Sequence, residues 1–195
     1  MNIINVPDFN ISSFSIGTPK KVDKKYECMI KYDRNEIIIQ SPICKLEYLG
    51  QCNNLFSMLF KLSDNFEYFQ FFCSLHELII KNLCRYADNS EYEIMKKYDS
   101  KDQEHIRKSF RSHVVKTNDI DMIISLKINE NTKFFNKEKE EITVKDIKKG
   151  DYVVCIMKSN KIELSEEYFL HTWDCIQCLK WKSDKISLNT ENTDS

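Results

Sequence analysis

Residues 148–157 read KKGDYVVCIM, and residues 169–181 read FLHTWDCIQCLKW. The first segment joins a turn signal to a short apolar run, because its glycine tolerates the positive φ of a tight turn. Residues 159–161 offer a second turn after that run. Side chains of the later segment alternate along an extended chain, which places Trp173 and Trp181 on one face. We therefore expect two or three strands joined by turns, with the tryptophan face toward a core.

Length and charge limit the kinds of protein that this chain can be. Its 195 residues suit one domain with a core of its own. The formal net charge is -1, so any polyanion must bind a local basic face rather than a global positive field. The first residues lack the basic start and long apolar core of a signal peptide. We expect an intracellular protein with reduced thiols, not a secreted one.

No membrane contact is expected either. The longest apolar-rich region, residues 66–83, is interrupted by charged and amide side chains and cannot form a membrane span.

The order of the remaining elements predicts a mainly β fold with an inserted helix. Alternating or apolar runs predict strands over residues 26–32, 36–40, 43–49, 55–62 and 121–129. The Asp-Arg-Asn sequence at residues 33–35 predicts a hairpin turn.

Two helices interrupt these strands. Asp64 and Glu67 fit a capping box at the start of a long helix that ends near residue 87. Its apolar side chains recur at spacings of three and four, so one face should pack on the sheet. Residues 102–110 predict a short, charged second helix. Residues 133–137 mix bases and aromatics in an expected loop.

The chain divides into three expected parts. Residues 1–24 form an irregular N-terminal arm, and residues 25–182 form the domain, with a helical insertion over residues 64–112. Residues 183–195 are polar and are expected to be a disordered tail.

A metal or catalytic centre finds little support. Cys175 and Cys178 form the single C-x-x-C motif, and no second pair completes a structural zinc site. In a strand their side chains should point to opposite faces, and His171 is the nearest other candidate ligand. No serine or cysteine carries a local nucleophile signature. With three glycines in the chain, a nucleotide-cradling loop is nearly excluded. We expect no enzyme activity and no cofactor.

Binding of single-stranded nucleic acid has simpler requirements. It needs basic side chains for the backbone and exposed aromatics on which bases stack, each stacked base contributing roughly 1–3 kcal/mol. Basic and aromatic residues lie side by side in three places: Lys31, Tyr32 and Arg34; Lys45 and Tyr48; and Lys133, Phe134 and Phe135. A further basic cluster contains Arg107, Lys108 and Arg111, and a solvated helix face explains this cluster equally well.

The order of these segments resembles a known family, the OB-fold single-stranded-DNA-binding proteins of large nucleocytoplasmic DNA viruses, which are distant relatives of a phage replication protein. The matching segments are EIIIQSP at residues 36–42, the helix at 64–87, ISLKI at 124–128, residues 144–154 with Lys149-Gly150, and WDCIQCL at 173–179. Order and spacing match over roughly residues 20–182.

The resemblance implies an OB-fold-like five-stranded barrel with one long helix and a short charged helical insert, of the α+β class. It also implies a non-catalytic protein that binds single-stranded DNA in viral DNA replication, recombination or repair. Lys127 carries over by position as a contact to the DNA backbone. Replication proteins and a second copy of the chain are further candidate partners. The implied location is the virus factory in the host cytoplasm, or the virion.

Two other interpretations stay open. A virion structural or interaction protein could keep the barrel without binding DNA, and both the near-neutral charge and the weakly acidic C-terminal segment favour it. A small interaction domain stabilised by a metal at Cys175 and Cys178 is the third.

Overall fold

The structure, a computed structural model, describes residues 3–50, 55–61, 64–87, 103–117 and 120–182. Its strands are β1 (Phe14–Ile16), β2 (Lys20–Val22), β3 (Lys25–Cys28), β4 (Ile30–Tyr32), β5 (Ile38–Gln40), β6 (Cys44–Gly50), β7 (Leu55–Lys61), β8 (Phe110–Ser112), β9 (Val114–Lys116), β10 (Asp121–Lys127), β11 (Lys133–Phe135), β12 (Glu141–Ile142), β13 (Tyr152–Leu164) and β14 (Phe169–Lys182). Its helices are α1 (Phe66–Ala87) and α2 (Gln103–Ser109). The predicted tail at 183–195 lies outside the described residues.

Five of these strands close into a barrel. Around the ring, β6 pairs with β7, β7 with β10, β10 with β14, β14 with β13, and β13 with β6. All of these pairs are antiparallel except β10 and β14, which run parallel. The expected mainly β fold with a five-stranded barrel and inserted helices is confirmed.

The pairing of β13 with β14 is the longest in the barrel, and register shifts interrupt it. The predicted turn at residues 159–161 is wrong, because β13 continues through it with one extra residue, a β-bulge. On β14, an extra residue at Ile176 reverses the alternation, so that Cys175 and Cys178 both point inward. For the same reason Trp173 is fully buried whereas Trp181 is 40% exposed, which corrects the expected common face.

Helix α1 packs its apolar face against the strands of the barrel, as its apolar spacing predicts. Phe72 makes edge contacts with Trp173 at 5.5 Å and with Phe60 at 6.0 Å between ring centroids. Such arrangements place the positive ring edge on the negative face of the neighbouring ring. Phe66 at the start of the helix is 58% exposed. Among the described residues, no helix combines the length and apolar character needed to cross a membrane.

The N-terminal segment and residues 133–135 both pair with other strands. Strand β1 pairs with β4, and Phe9 stacks on Tyr32 with ring centroids 4.8 Å apart. Residues 133–135 are strand β11 rather than the expected loop, because they pair with β14 and bury Phe134 against Phe56.

The predicted turn after β4 is confirmed, since Asp33 and Arg34 both adopt positive φ, as a two-residue hairpin turn requires.

The core also encloses imidazoles. His171 is fully buried, and its Nε2 lies 2.9 Å from Ser159 Oγ. Burial lowers the pKa of His171 to about 3 and that of His76 to about 4, because desolvation disfavours the charged ring. Glu77 opposes this effect at His76, while Arg107 adds to it. Burial also lowers the pKa of His113.

We predict that the protein loses stability in mild acid. An unfolded histidine titrates near pH 6.5, so below that pH the unfolded state binds protons that the folded state excludes. Between pH 6.5 and about pH 5 each of the two histidines should lower the free energy of unfolding by roughly 2 kcal/mol. Urea unfolding at both pH values measures this slope.

His76→Leu should flatten the slope, because it removes one of the titrating rings. The control is His105→Gln, because His105 is exposed. An unchanged slope in His76→Leu would contradict this explanation.

Candidate nucleic-acid interface

A cleft of about 710 Å³ opens in the barrel wall, where the middle of β13 and β14 meets the end of β10 and the start of β7. A volume of this order accommodates a small organic ligand or a nucleotide. The polar and charged side chains that line it are Glu36, His113, Lys127, Asn129, Lys158, Ser159, Asn160, Lys161, Glu163, Thr172 and Asp174.

The bulge in β13 explains why basic and amide side chains gather here. Up to Ser159 the strand alternates between inward and outward side chains. The extra residue then leaves Asn160 and Lys161 in succession on the outer side, before Ile162 turns inward again. The irregular strand therefore concentrates three polar side chains, those of Lys158, Asn160 and Lys161, on one short piece of wall.

Most of the positive charge in and around the cleft is neutralised. Lys158 Nζ lies 2.6 Å from Glu36 Oε1, and Lys161 pairs with Glu27. At the rim, Lys25 Nζ donates to Glu163 Oε2 at 3.1 Å. Lys127 differs, because no salt bridge or hydrogen bond joins its ammonium group to another residue in the described part of the chain. Its charge is thus available to a ligand.

Asn160 connects two other side chains that line the cleft. Its Nδ2 donates to Thr172 Oγ1 at 3.1 Å and to Asp174 Oδ1 at 2.7 Å. Asp174 is also the register partner of Lys127 across the parallel pair of β10 and β14. A carboxylate and an ammonium group therefore lie on adjacent strands of the same cleft. Met29, Leu55 and Ile128 supply apolar surface around them, and Met29 is 46% exposed.

Of the residues proposed from the sequence, Lys127 lines this cleft. Lys31, Tyr32 and Arg34 lie instead on β4 and its turn. One ring face of Tyr32 is covered by Phe9, and its hydroxyl accepts a hydrogen bond from the Asn10 amide at 3.1 Å. The stack on Phe9 leaves that face closed to a base.

Lys45 and Tyr48 lie on β6, away from the cleft. Lys45 pairs with Tyr152, and Lys158 is six residues further along β13. At about 3.3 Å per residue this separation is roughly 20 Å. Tyr48 is 53% exposed there.

The basic and aromatic cluster on β11 is divided by its strand. Lys133 is exposed and Phe135 is half-buried, whereas Phe134 is 6% exposed and packs in the core. Alternation along the strand accounts for this division. Phe134 therefore offers no surface for base stacking in this structure.

The cluster at residues 107–111 makes contacts within the protein. Arg107 donates two hydrogen bonds to the Glu77 carboxylate, at 2.6 and 2.9 Å, and so joins α2 to α1. The hydrogen bonds between these two side chains raise the pKa of Arg107 and lower the pKa of Glu77. Lys108 lies 3.7 Å from Glu104, one helical turn away. Arg111 lies over the ring of Tyr168, 4.5 Å from its centroid.

Sequence reasoning does not single out three residues that line the cleft, Lys158, Asn160 and Lys161. The turn predicted at residues 159–161 contains Asn160 and Lys161 and directly follows Lys158, because Ser and Asn are frequent in turns. The alternation of Ile162 and Leu164 with Glu163 indicates that the strand continues past residue 161. Both apolar side chains point inward after a shift of one residue. Tyr168 sits in the short connection between β13 and β14, beside Arg111.

The expectation that Cys175 and Cys178 diverge is wrong. The bulge at Ile176 buries both, at 1% and 0% exposure, and Cys155 lies directly opposite Cys178 on β13. Burial raises the pKa of Cys155 well above its usual range. No group of three or more candidate metal ligands occurs within the described ranges.

No protein family and no curated protein match this sequence. Solved structures that share the fold include two of one phage protein. One is the single-stranded DNA-binding protein from bacteriophage Enc34 in complex with single-stranded DNA, with a TM-score of 0.52 and 14% identity over 87% of this chain and 97% of that chain. The other, of the same phage protein, has a TM-score of 0.54 and 14% identity over 92% and 96%. The five-stranded barrel is therefore an OB fold, as the resemblance implied.

We predict that Arg107 stabilises the contact between the two helices only modestly. Arg107→Gln should lower the free energy of unfolding by no more than about 1 kcal/mol, because both partners are largely exposed and water screens the pair. Urea denaturation measures the change. Lys108→Gln is the matched control and should cost less than about 0.5 kcal/mol, as pairs one turn apart do. A loss of several kcal/mol in Arg107→Gln would contradict the modest role.

Proposed function

We propose that the chain is a non-catalytic single-stranded-DNA-binding protein and that the cleft between β10, β13 and β14 contacts the DNA. The observation that supports this proposal is the unpaired ammonium group of Lys127, which lies at a cleft large enough for a nucleotide. In OB folds the face of the second and third barrel strands and the loop between the last two bind oligonucleotides. Here these elements are β7, β10 and residues 165–168.

Charge neutralisation and apolar contact would drive binding. Lys127 faces a phosphate or a base from the end of β10, and Met29, Leu55 and Ile128 contact the bases. Arg111 and Tyr168 extend the path along the connection between β13 and β14. Each phosphate neutralised releases counterions, so affinity should fall steeply as salt rises.

We place this activity in viral DNA replication, recombination or repair, within the host cytoplasm. The support is the resemblance over residues 20–182 and the phage origin of the two structures that share the fold. A large nucleocytoplasmic DNA virus as the source, and replication proteins as partners, belong to the same proposal.

We predict that Lys127→Glu weakens binding to a labelled oligo-dT. The change replaces the unpaired cation with an anion beside Asp174, and affinity should fall at least about tenfold at low salt. Fluorescence anisotropy across a salt series measures it. Lys145→Glu makes the same charge change on an exposed turn outside the cleft and should have a smaller effect. Equal affinity of Lys127→Glu and the parent, both folded by circular dichroism, would remove Lys127 from the site.

We predict the opposite result for Glu36→Gln. Removing this carboxylate frees Lys158, whose Nζ lies 2.6 Å from it, so a second cation becomes available to DNA. Affinity for oligo-dT should rise about two- to tenfold, and the dependence of log affinity on log salt should steepen by up to about one phosphate contact. Unchanged affinity and slope would show that Lys158 does not reach the DNA.

The alternative is a virion structural or interaction protein that keeps the barrel but does not bind DNA. The observation that favours it is the pairing of Lys158 and Lys161 with carboxylates, which leaves the cleft close to neutral. Absence of oligonucleotide binding at low salt would support this alternative.

A further inference from the structure

The cleft contains a carboxylate that a purely phosphate-binding surface would not retain. Asp174 lines the same wall as Lys127 and projects its charge where a DNA strand would pass. A carboxylate within a Debye length of a phosphate, about 8–10 Å, repels it. The group is therefore suited to a part of the nucleotide that donates hydrogen bonds, which is the edge of a base.

The structure holds this carboxylate in one orientation. Asn160 donates to Asp174 Oδ1 at 2.7 Å and at the same time to Thr172 Oγ1 at 3.1 Å. Thr172 is 4% exposed, so the tether is anchored in the barrel wall. Within the described part of the chain, no donor occupies Oδ2. An oriented acceptor thus faces the cleft, and a donor, Lys127, lies on the neighbouring strand.

We propose that Asp174, positioned by Asn160 and accompanied by Lys127, selects guanine in the bound strand. This inference rests on the proposed function and adds a base preference to it. Guanine presents two adjacent donors, N1–H and the N2 amine, which match the two oxygens of a carboxylate. Its O6 acceptor lies beside them and matches the ammonium group of Lys127.

The other bases fit this arrangement less well. Thymine flanks its single N3–H donor with two carbonyl oxygens, and these would face the carboxylate. Cytosine and adenine each offer one amine next to a ring acceptor, so they satisfy one oxygen of Asp174. The side chains of Met29, Leu55 and Ile128 provide apolar surface for the face of any base and do not discriminate. The expected order is guanine first and thymine last.

The test uses labelled dT oligonucleotides of about 20 nucleotides, longer than a typical OB-fold site. One carries a single central guanine, one carries hypoxanthine there, and one is all thymine. Hypoxanthine lacks only the N2 amine of guanine, so it reports on the second donor. Anisotropy at one fixed salt concentration should show guanine binding at least about fivefold tighter than thymine, with hypoxanthine between them.

Three variants assign the preference to residues. Asp174→Asn should abolish the preference for guanine and strengthen binding of the all-thymine strand, because it removes a charge that repels phosphate. Asp174→Glu keeps the charge but moves the carboxylate away from its Asn160 tether, and it should reduce the preference. Glu36→Gln is the matched control, since it removes the same charge from the same cleft yet should keep the preference.

Each outcome decides the question. Equal binding of the guanine and thymine strands by the parent protein, with steep salt dependence, would overturn the base preference and leave the proposed function standing. A preference that persists in Asp174→Asn would also overturn it. If none of the strands binds at low salt, the proposed function fails and the preference fails with it. Thermal unfolding of each variant confirms that a lost preference is not lost folding.

Discussion

The antiparallel pairing of β13 with β14 is the constraint on which the rest of this protein depends. These two strands close the barrel, since β13 contacts β6 on one side and β14 contacts β10 on the other. Their pairing is irregular, and each extra residue reverses which side chains face inward. The bulge at Ile176 buries Cys178, and the bulge between Ser159 and Ile162 places Asn160 and Lys161 together on the outer side. The same pairing therefore builds both the core and the cleft.

The core near this pairing combines tight aromatic packing with polar groups. Trp173 packs edge-on against Phe72 of α1, which couples the helix to the barrel wall. Beside it, the buried Nδ1 of His171 and Nε1 of Trp173 have no hydrogen-bond partner in the described residues. Unpaired buried groups cost free energy, and the buried imidazole of His171 makes this region sensitive to protonation. Ser159, which lines the cleft, lies 2.9 Å from His171 Nε2, so the cleft and this part of the core are in direct contact.

Charge in the cleft is arranged locally although the molecule is close to neutral. Glu27 on β3 pairs with Lys161, and Glu36 next to β5 pairs with Lys158. Lys127 has no such partner among the described residues. Partly exposed ion pairs contribute little to stability, so the main consequence of these contacts is the charge that the cleft presents. A nearly neutral protein in this way keeps one unpaired ammonium group on the strand next to an oriented carboxylate.

Local pattern determined the elements. The alternation over residues 121–129, the apolar run over 152–157, the 3–4 spacing of α1 and the turn after β4 were all readable from the sequence, because side-chain pattern reports backbone conformation. The resemblance of segment order led correctly to the barrel. Tertiary structure alone decided the site. A bulge depends on the partner strand, so Asn160, Lys161 and the two cysteines could not be oriented in advance. Pairing of Lys158 and Arg107 with distant carboxylates decided which cations stay available, and a linear sequence does not show such long-range contacts.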